Sequence, residues 1–287
     1  MRDPFEKLLG NRQLRDELTS MLSGDRMPGA LLFLGDDGCG RYTCAKMLAA
    51  SYLGVPLDRI ERRACPDFIE IRGQGVSNNI TVDSVRKAIV ESHNSAVSNE
   101  GRRVFLIKDA QNLNGPSSAA LLKSLEEPLP GVVYMLTARS ENDLLDTIRS
   151  RCLIFRLSPL DTDVCAREAS ERTGRPLEFC TELSEFFGGR LGLVLDCIRD
   201  TKILELYTAA KRFMSCYRNR DLYGMDLEAN AYTERLPAIR FWEFISLFFA
   251  NSGELEKHLL IESKRKDLES NVNIRLFIAG TIAALIE

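Results

Sequence analysis

Residues 29–43, GALLFLGDDGCGRYT, put an apolar run, a glycine-punctuated turn and the start of a helical stretch in immediate succession. A strand that enters a helix through such a turn belongs in a sheet whose strands are joined by crossover helices. The first 158 residues repeat the alternation. Candidate strands are 30–34 (ALLFL), 67–71 (DFIEI), 104–107 (VFLI), 132–136 (VVYML) and 152–157 (CLIFRL). Between them, helical spacing covers 43–53, 82–92 and 117–127, with Pro128 and Pro130 ending the last. The expected fold is α/β, a mostly parallel sheet with helices on both faces.

Beyond 158–163 (SPLDTD) the strand signal stops. Three short helices are expected to about residue 200, then longer aromatic-rich helices broken near Pro237 and Ser252-Gly253. The division is an α/β domain over 1–158, a small helical domain over 159–202 and a helical C-terminal domain over 203–287. A net charge of -3 argues against tight non-specific DNA binding driven by the chain's own field. The eight cysteines form no Cys-x-x-Cys pair and do not cluster with His93 or His258, so zinc is not expected and a reducing cytosol is. The opening MRDPFEKLLGN has no apolar core of signal-peptide type, and the apolar stretches at 241–250 and 274–287 are too short to span a bilayer. They are expected as buried helices in a cytoplasmic protein.

The turn at 35–43 has the form of a phosphate-binding loop, in which backbone N–H groups wrap an anion at the positive end of a helix. Gly35, Gly38 and Gly40 stand where that turn needs them. The side chains do not. Arg41 replaces the lysine, Tyr42 replaces the hydroxyl that would hold magnesium, and Thr43 comes one residue late. Asp36 and Asp37 bring negative charge to where an anion would sit. At the end of the 104–107 strand, where a nucleotide hydrolase places a magnesium-holding acid, stands Lys108, with Asp109 behind it. Two failed motifs argue against hydrolysis by this chain.

At 119–128 (AALLKSLEEP) and 146–152 (DTIRSRC), together with the glycine loop and 104–114 (VFLIKDAQNLN), the chain resembles the clamp-loader ATPase family of AAA+ proteins, and within it the delta prime subunits of bacterial DNA polymerase III. The resemblance covers residues 5 to about 200; the remainder matches only in length and helical character. It implies an AAA+ sheet domain, a helical lid and a C-terminal collar. It further implies a subunit with a vestigial nucleotide loop that loads a sliding clamp on primed DNA without turning over ATP itself. Arg151, flanked by Ser150 and Cys152, takes the place of an arginine finger given in trans to a neighbour's ATP site. Thr137 falls at a γ-phosphate-sensing position. Gly192 stands where hydrolysing relatives carry a second sensor arginine, with Arg190 two residues early. The implied partners are gamma/tau and delta subunits, the β clamp, and primer-template DNA through the assembled complex, with no membrane.

Several readings stay open from the residues alone. Arg151 is either the finger or a surface arginine paired with a carboxylate, and Cys152 reads as a small buried thiol rather than a nucleophile. Trp242, Phe244, Ile245, Phe248 and Phe249 pack either a collar interface or the chain's own core. A gamma-type active ATPase that tolerates Arg41, and a DNA-binding protein using Arg86, Lys87 and Lys264 to Lys266, are the alternatives.

Overall fold

A computed structural model describes residue 5 and residues 8–24, 27–74, 78–92, 101–268 and 272–286; His93 lies outside the described residues. The chain divides into two compact units, Met1–Asp161 and Thr162–Glu287.

The first unit runs α1 (Arg12–Ser23), β1 (Ala30–Leu34), α2 (Arg41–Tyr52), α3 (Leu57–Glu61), β2 (Phe68–Ile71), α4 (Val82–Ser92), β3 (Arg103–Ile107), α5 (Gly115–Glu126), β4 (Val132–Ala138), α6 (Asp146–Arg149) and β5 (Leu153–Arg156). All strand pairs are parallel, in the order β2-β3-β4-β1-β5. Every residue of β1, β3 and β4 is buried, the state that continuous apolar runs prefer when helices cover both faces. Successive side chains of β1 enter opposite cores. Leu31 and Phe33 pack with Leu48, Val104 and Met135, while Ala30, Leu32 and Leu34 pack with Phe105, Leu121 and Leu136. β5 closes one edge against β1, with Leu31 beside Leu153 and Leu34 beside Arg156.

Helix α5 is capped by Asn114, whose Oδ1 accepts from the Ser117 N–H at 2.9 Å. Pro116 occupies its first turn, where a missing N–H is harmless. Beyond its end, Pro128 abuts Gly29, where an added Cβ would lie 2.1 Å from the proline Cγ. That contact brings the end of α5 to the beginning of β1.

The second unit is helical throughout its described residues: α7 (Thr162–Thr173), α8 (Leu177–Phe186), α9 (Leu191–Arg199), α10 (Thr201–Arg218), α11 (Leu222–Asn230), α12 (Arg235–Asn251), α13 (Leu255–Leu268) and α14 (Ile274–Ile286). The break expected near Pro237 falls earlier. Pro237 sits in the first turn of α12, which proline tolerates, and the chain turns before it at residues 231–234. Phe186 has its ring centroid 4.9 Å from that of Tyr207 and 4.5 Å from that of Phe248. Trp242 is packed edge-on against Phe213 and Phe277. Trp242, Phe244, Ile245 and Phe249 are buried within this unit. These four are core of this unit, while Phe248 is only partly buried, packed against Phe186 and Tyr207. Helix α14 is only half buried, with Phe277, Ile278 and Ile282 inward and Leu276 exposed. Among the described residues no helix is long and apolar enough to cross a membrane.

Candidate functional site: a filled phosphate loop and an arginine on the opposite rim

The turn after β1 has the shape expected of it. Gly38 and Gly40 have φ of 87° and 90°, and Gly40 leads directly into α2. Gly35 is required for a second reason: a Cβ there would lie 2.6 Å from the Leu157 carbonyl oxygen. The glycine therefore lets the loop pass against the chain leaving β5, a packing role that needs no ligand.

Arg41 fills the loop from inside. Its side chain is buried, and its guanidinium donates to the Gly35 carbonyl, to Asp37 Oδ1 at 2.7 Å and to Asp109 Oδ1 at 2.9 Å. A cation buried this far needs such partners, because desolvation would otherwise expel it. Asp37 also meets Arg139, Nε to Oδ2, at 3.0 Å. The carboxylate that the sequence suggested would repel a phosphate instead anchors the arginine. Asp109, at the end of β3, adopts a left-handed backbone (φ 55°), and its N–H donates to Thr137 Oγ1 at 2.9 Å. Thr137, fully buried at the end of β4, thus orders an internal ion pair. Loop, α2, β3 and β4 are tied by one guanidinium and its two carboxylates.

Tyr42 points away from this triad. Its hydroxyl donates to Glu70 Oε1 at 2.8 Å, and Lys46 and Lys108 lie over its ring at 4.4 and 5.1 Å from the centroid. Lys108 is spent on an aromatic face. Glu70 also takes Arg72 at 2.6 Å. Burial first, and then the Glu70 hydrogen bond and charge, push the Tyr42 phenol up to about 12. Glu70 and Arg139 had no role in the sequence reading, since only the fold carries β2 and the end of β4 to the loop.

Arg151 lies elsewhere on the sheet. It follows α6 and precedes β5, whose first residue pairs with Leu31 near the beginning of β1. In a parallel sheet this is the amino-terminal rim, and the glycine loop leaves the carboxy-terminal rim. A five-residue strand separates the two by about 16 Å of rise. Arg151 Nε donates to Glu126 Oε1 at 2.6 Å, Nη2 donates to the same oxygen, and Nη1 donates to the Thr147 carbonyl at 2.7 Å and to Ser150 Oγ at 3.3 Å. The Leu-Glu-Glu-Pro and Ser-Arg-Cys motifs therefore meet. Cys152 is partly buried against the core, and burial pushes its thiol up to about 12. It is no thiolate at neutral pH.

The remaining sequence candidates spread apart. Arg190 immediately precedes α9 without capping it, its Nε donating to the Phe187 carbonyl at 2.7 Å, and Gly192 lies in that helix's first turn. Arg86 and Lys87 are exposed on α4. Lys264 reaches the Gly280 carbonyl at 3.3 Å and Arg265 pairs with Glu262 at 2.8 Å. No group of three metal-ligating side chains occurs among the described residues.

Comparison with known proteins agrees with this architecture. The chain is 29% identical over 171 residues to the DNA polymerase III subunit gamma of Buchnera aphidicola subsp. Schizaphis graminum, covering 55% of this chain and 46% of that protein. It is also 29% identical over 190 residues to the DNA polymerase III subunit delta' of Haemophilus influenzae, covering 65% and 53%. It thus spans about half the length of these curated relatives. A solved DNA polymerase III gamma subunit-related protein from Thermotoga maritima superposes with a TM-score of 0.59 at 17% identity, over 94% of this chain and 98% of that one, a likeness of fold. Residues 10–161, more than half of the chain, match the family described as DNA polymerase III, delta subunit, and the chain belongs to that family.

Proposed function

We propose that this chain is a nonhydrolysing subunit of the delta prime class in the DNA polymerase III clamp loader, giving Arg151 to the ATP site of a gamma/tau neighbour. The observation that carries this reading is the separation of the two motifs. Arg151 lies a full strand length from its own glycine loop, so any phosphate it serves belongs to another chain. The filled loop supports the other half: Arg41 and its carboxylates take up the groups that would face a nucleotide and its metal.

The gamma and delta prime relatives are equally similar in sequence, so subunit class rests on loop chemistry. On this reading ATP is bound by neighbouring subunits and this chain needs no cofactor. Its partners are gamma/tau and delta subunits, the β clamp, and primed DNA shared across the complex.

An arginine finger acts by stabilising charge on the phosphoryl group in flight, worth about 10³- to 10⁵-fold in rate. In the reconstituted loader, stimulated by clamp and primed DNA, Arg151→Ala is expected to slow the served site by about 10³-fold or more. The chain alone should hydrolyse nothing. Hydrolysis by the isolated chain would instead establish the gamma-type ATPase reading.

A further inference from the structure

The two arginines are held in opposite ways. The Arg41 side chain is 8% exposed, and its contacts run to Gly35 and Asp37 of its own loop and to Asp109 after β3. Arg151 and Glu126 are 30% and 46% exposed, so their ion pair sits at the solvent edge where another anion can reach it. The backbone that carries Glu126 is anchored. The residue ends α5, whose Leu121 and Leu125 are buried, just before the proline that abuts Gly29.

A guanidinium has five N–H groups. In Arg151 the Nε–H and one Nη2–H go to Glu126, and the two on Nη1 go to Thr147 and Ser150. One Nη2–H remains. Gripping a phosphoryl group takes a fork of two parallel donors, and the Nε/Nη2 edge that would supply it is the edge Glu126 occupies. The Nη1 contacts to Thr147 and Ser150 leave that edge clear and act as a pivot that keeps the guanidinium in place when Glu126 is exchanged.

Resting on the finger-donor reading, we infer that Glu126 is a positioning residue that parks Arg151 on its own chain until a neighbour's phosphate displaces it from the Nε/Nη2 edge. Carboxylate and phosphate compete for one fork, and the second, more highly charged anion wins only when the neighbouring site is loaded and close. The ion pair thereby holds back hydrolysis in the unengaged complex.

The test has two arms, one of which does not depend on hydrolysis. In the isolated chain, phenylglyoxal modification of Arg151 is followed by mass spectrometry, with Arg156, paired to Glu141, as the internal reference. Glu126→Gln should accelerate modification of Arg151 up to about fivefold, the ceiling for a solvent-edge pair, and leave Arg156 unchanged. In the reconstituted complex without clamp or DNA, the same variant should raise kcat for ATP by a comparable factor with KM unchanged, and the double variant with Arg151→Ala should show none of that gain. Equal modification rates, or a basal kcat that stays level or falls, overturns the parking role. If Arg151→Ala itself leaves hydrolysis by the complex untouched, the donor reading falls, and the parking role with it, whatever the modification rates show.

Discussion

A buried arginine and a half-buried tyrosine stand at the two positions where a working loop would hold lysine and a small hydroxyl, and their consequences differ. Tyr42 is a titration marker. Its phenol is held up at about 12 by burial and Glu70, against an ordinary value near 10, so the folded state prefers the neutral form. The stabilisation is present in full below about pH 10 and is lost as pH rises from about 10 to 12, where folding must keep protonated a group the unfolded chain would ionise. The difference in phenolate absorbance between the wild type and Tyr42→Phe should therefore titrate near 12 in the folded chain and near 10 in denaturant. A folded value near 10 would mean that Tyr42 is neither buried nor bonded to Glu70 in solution.

At the scale of elements, Arg41 is a fastening between the loop, α2 and β3. Removing it leaves Asp109 without its cation and Asp37 with Arg139 alone, and a partly buried acceptor stripped of its partner costs about 1–3 kcal/mol. Arg41→Ala is expected to lower stability by that amount in urea denaturation; an unchanged midpoint would show the triad to be ornamental. Two of its partners, Gly35 and Asp37, are local in sequence, but Asp109 lies 68 positions from Arg41. The elements themselves were far more legible. The five strands were readable to within one or two residues because runs such as ALLFL are buried on both sides, and such burial writes itself as unbroken apolarity. Short helices such as α3 and α6 have too few turns to show a period. Helix α1 does show one, with Leu14, Leu18, Met21 and Leu22 on one face, but it stands ahead of the first strand, outside the strand–helix alternation. At the site, the glycines and the missing lysine were plain, and so was the Ser-Arg-Cys motif. What the cations do instead was hidden, because it depends on Glu70, Asp109 and Glu126 arriving from other strands and helices.

For the whole molecule, a phosphate loop already filled by its own arginine predicts thermal behaviour. A ligand raises the unfolding temperature only through selective binding to the folded state. Millimolar ATP with magnesium should leave the melting temperature of the isolated chain where it was, and an upward shift would contradict the vestigial loop. The direction of the sheet has a further consequence. Chains joined head to tail make seams in which each contributes a different edge. On the proposed finger-donor reading, with all five strands parallel, one rim gives an arginine and the opposite rim, its loop filled by Arg41, receives none. On that reading, in a row of otherwise competent relatives such a chain is punctuation: it activates the seam on one side, leaves the seam on the other silent, and so marks where a sequence of firing events ends.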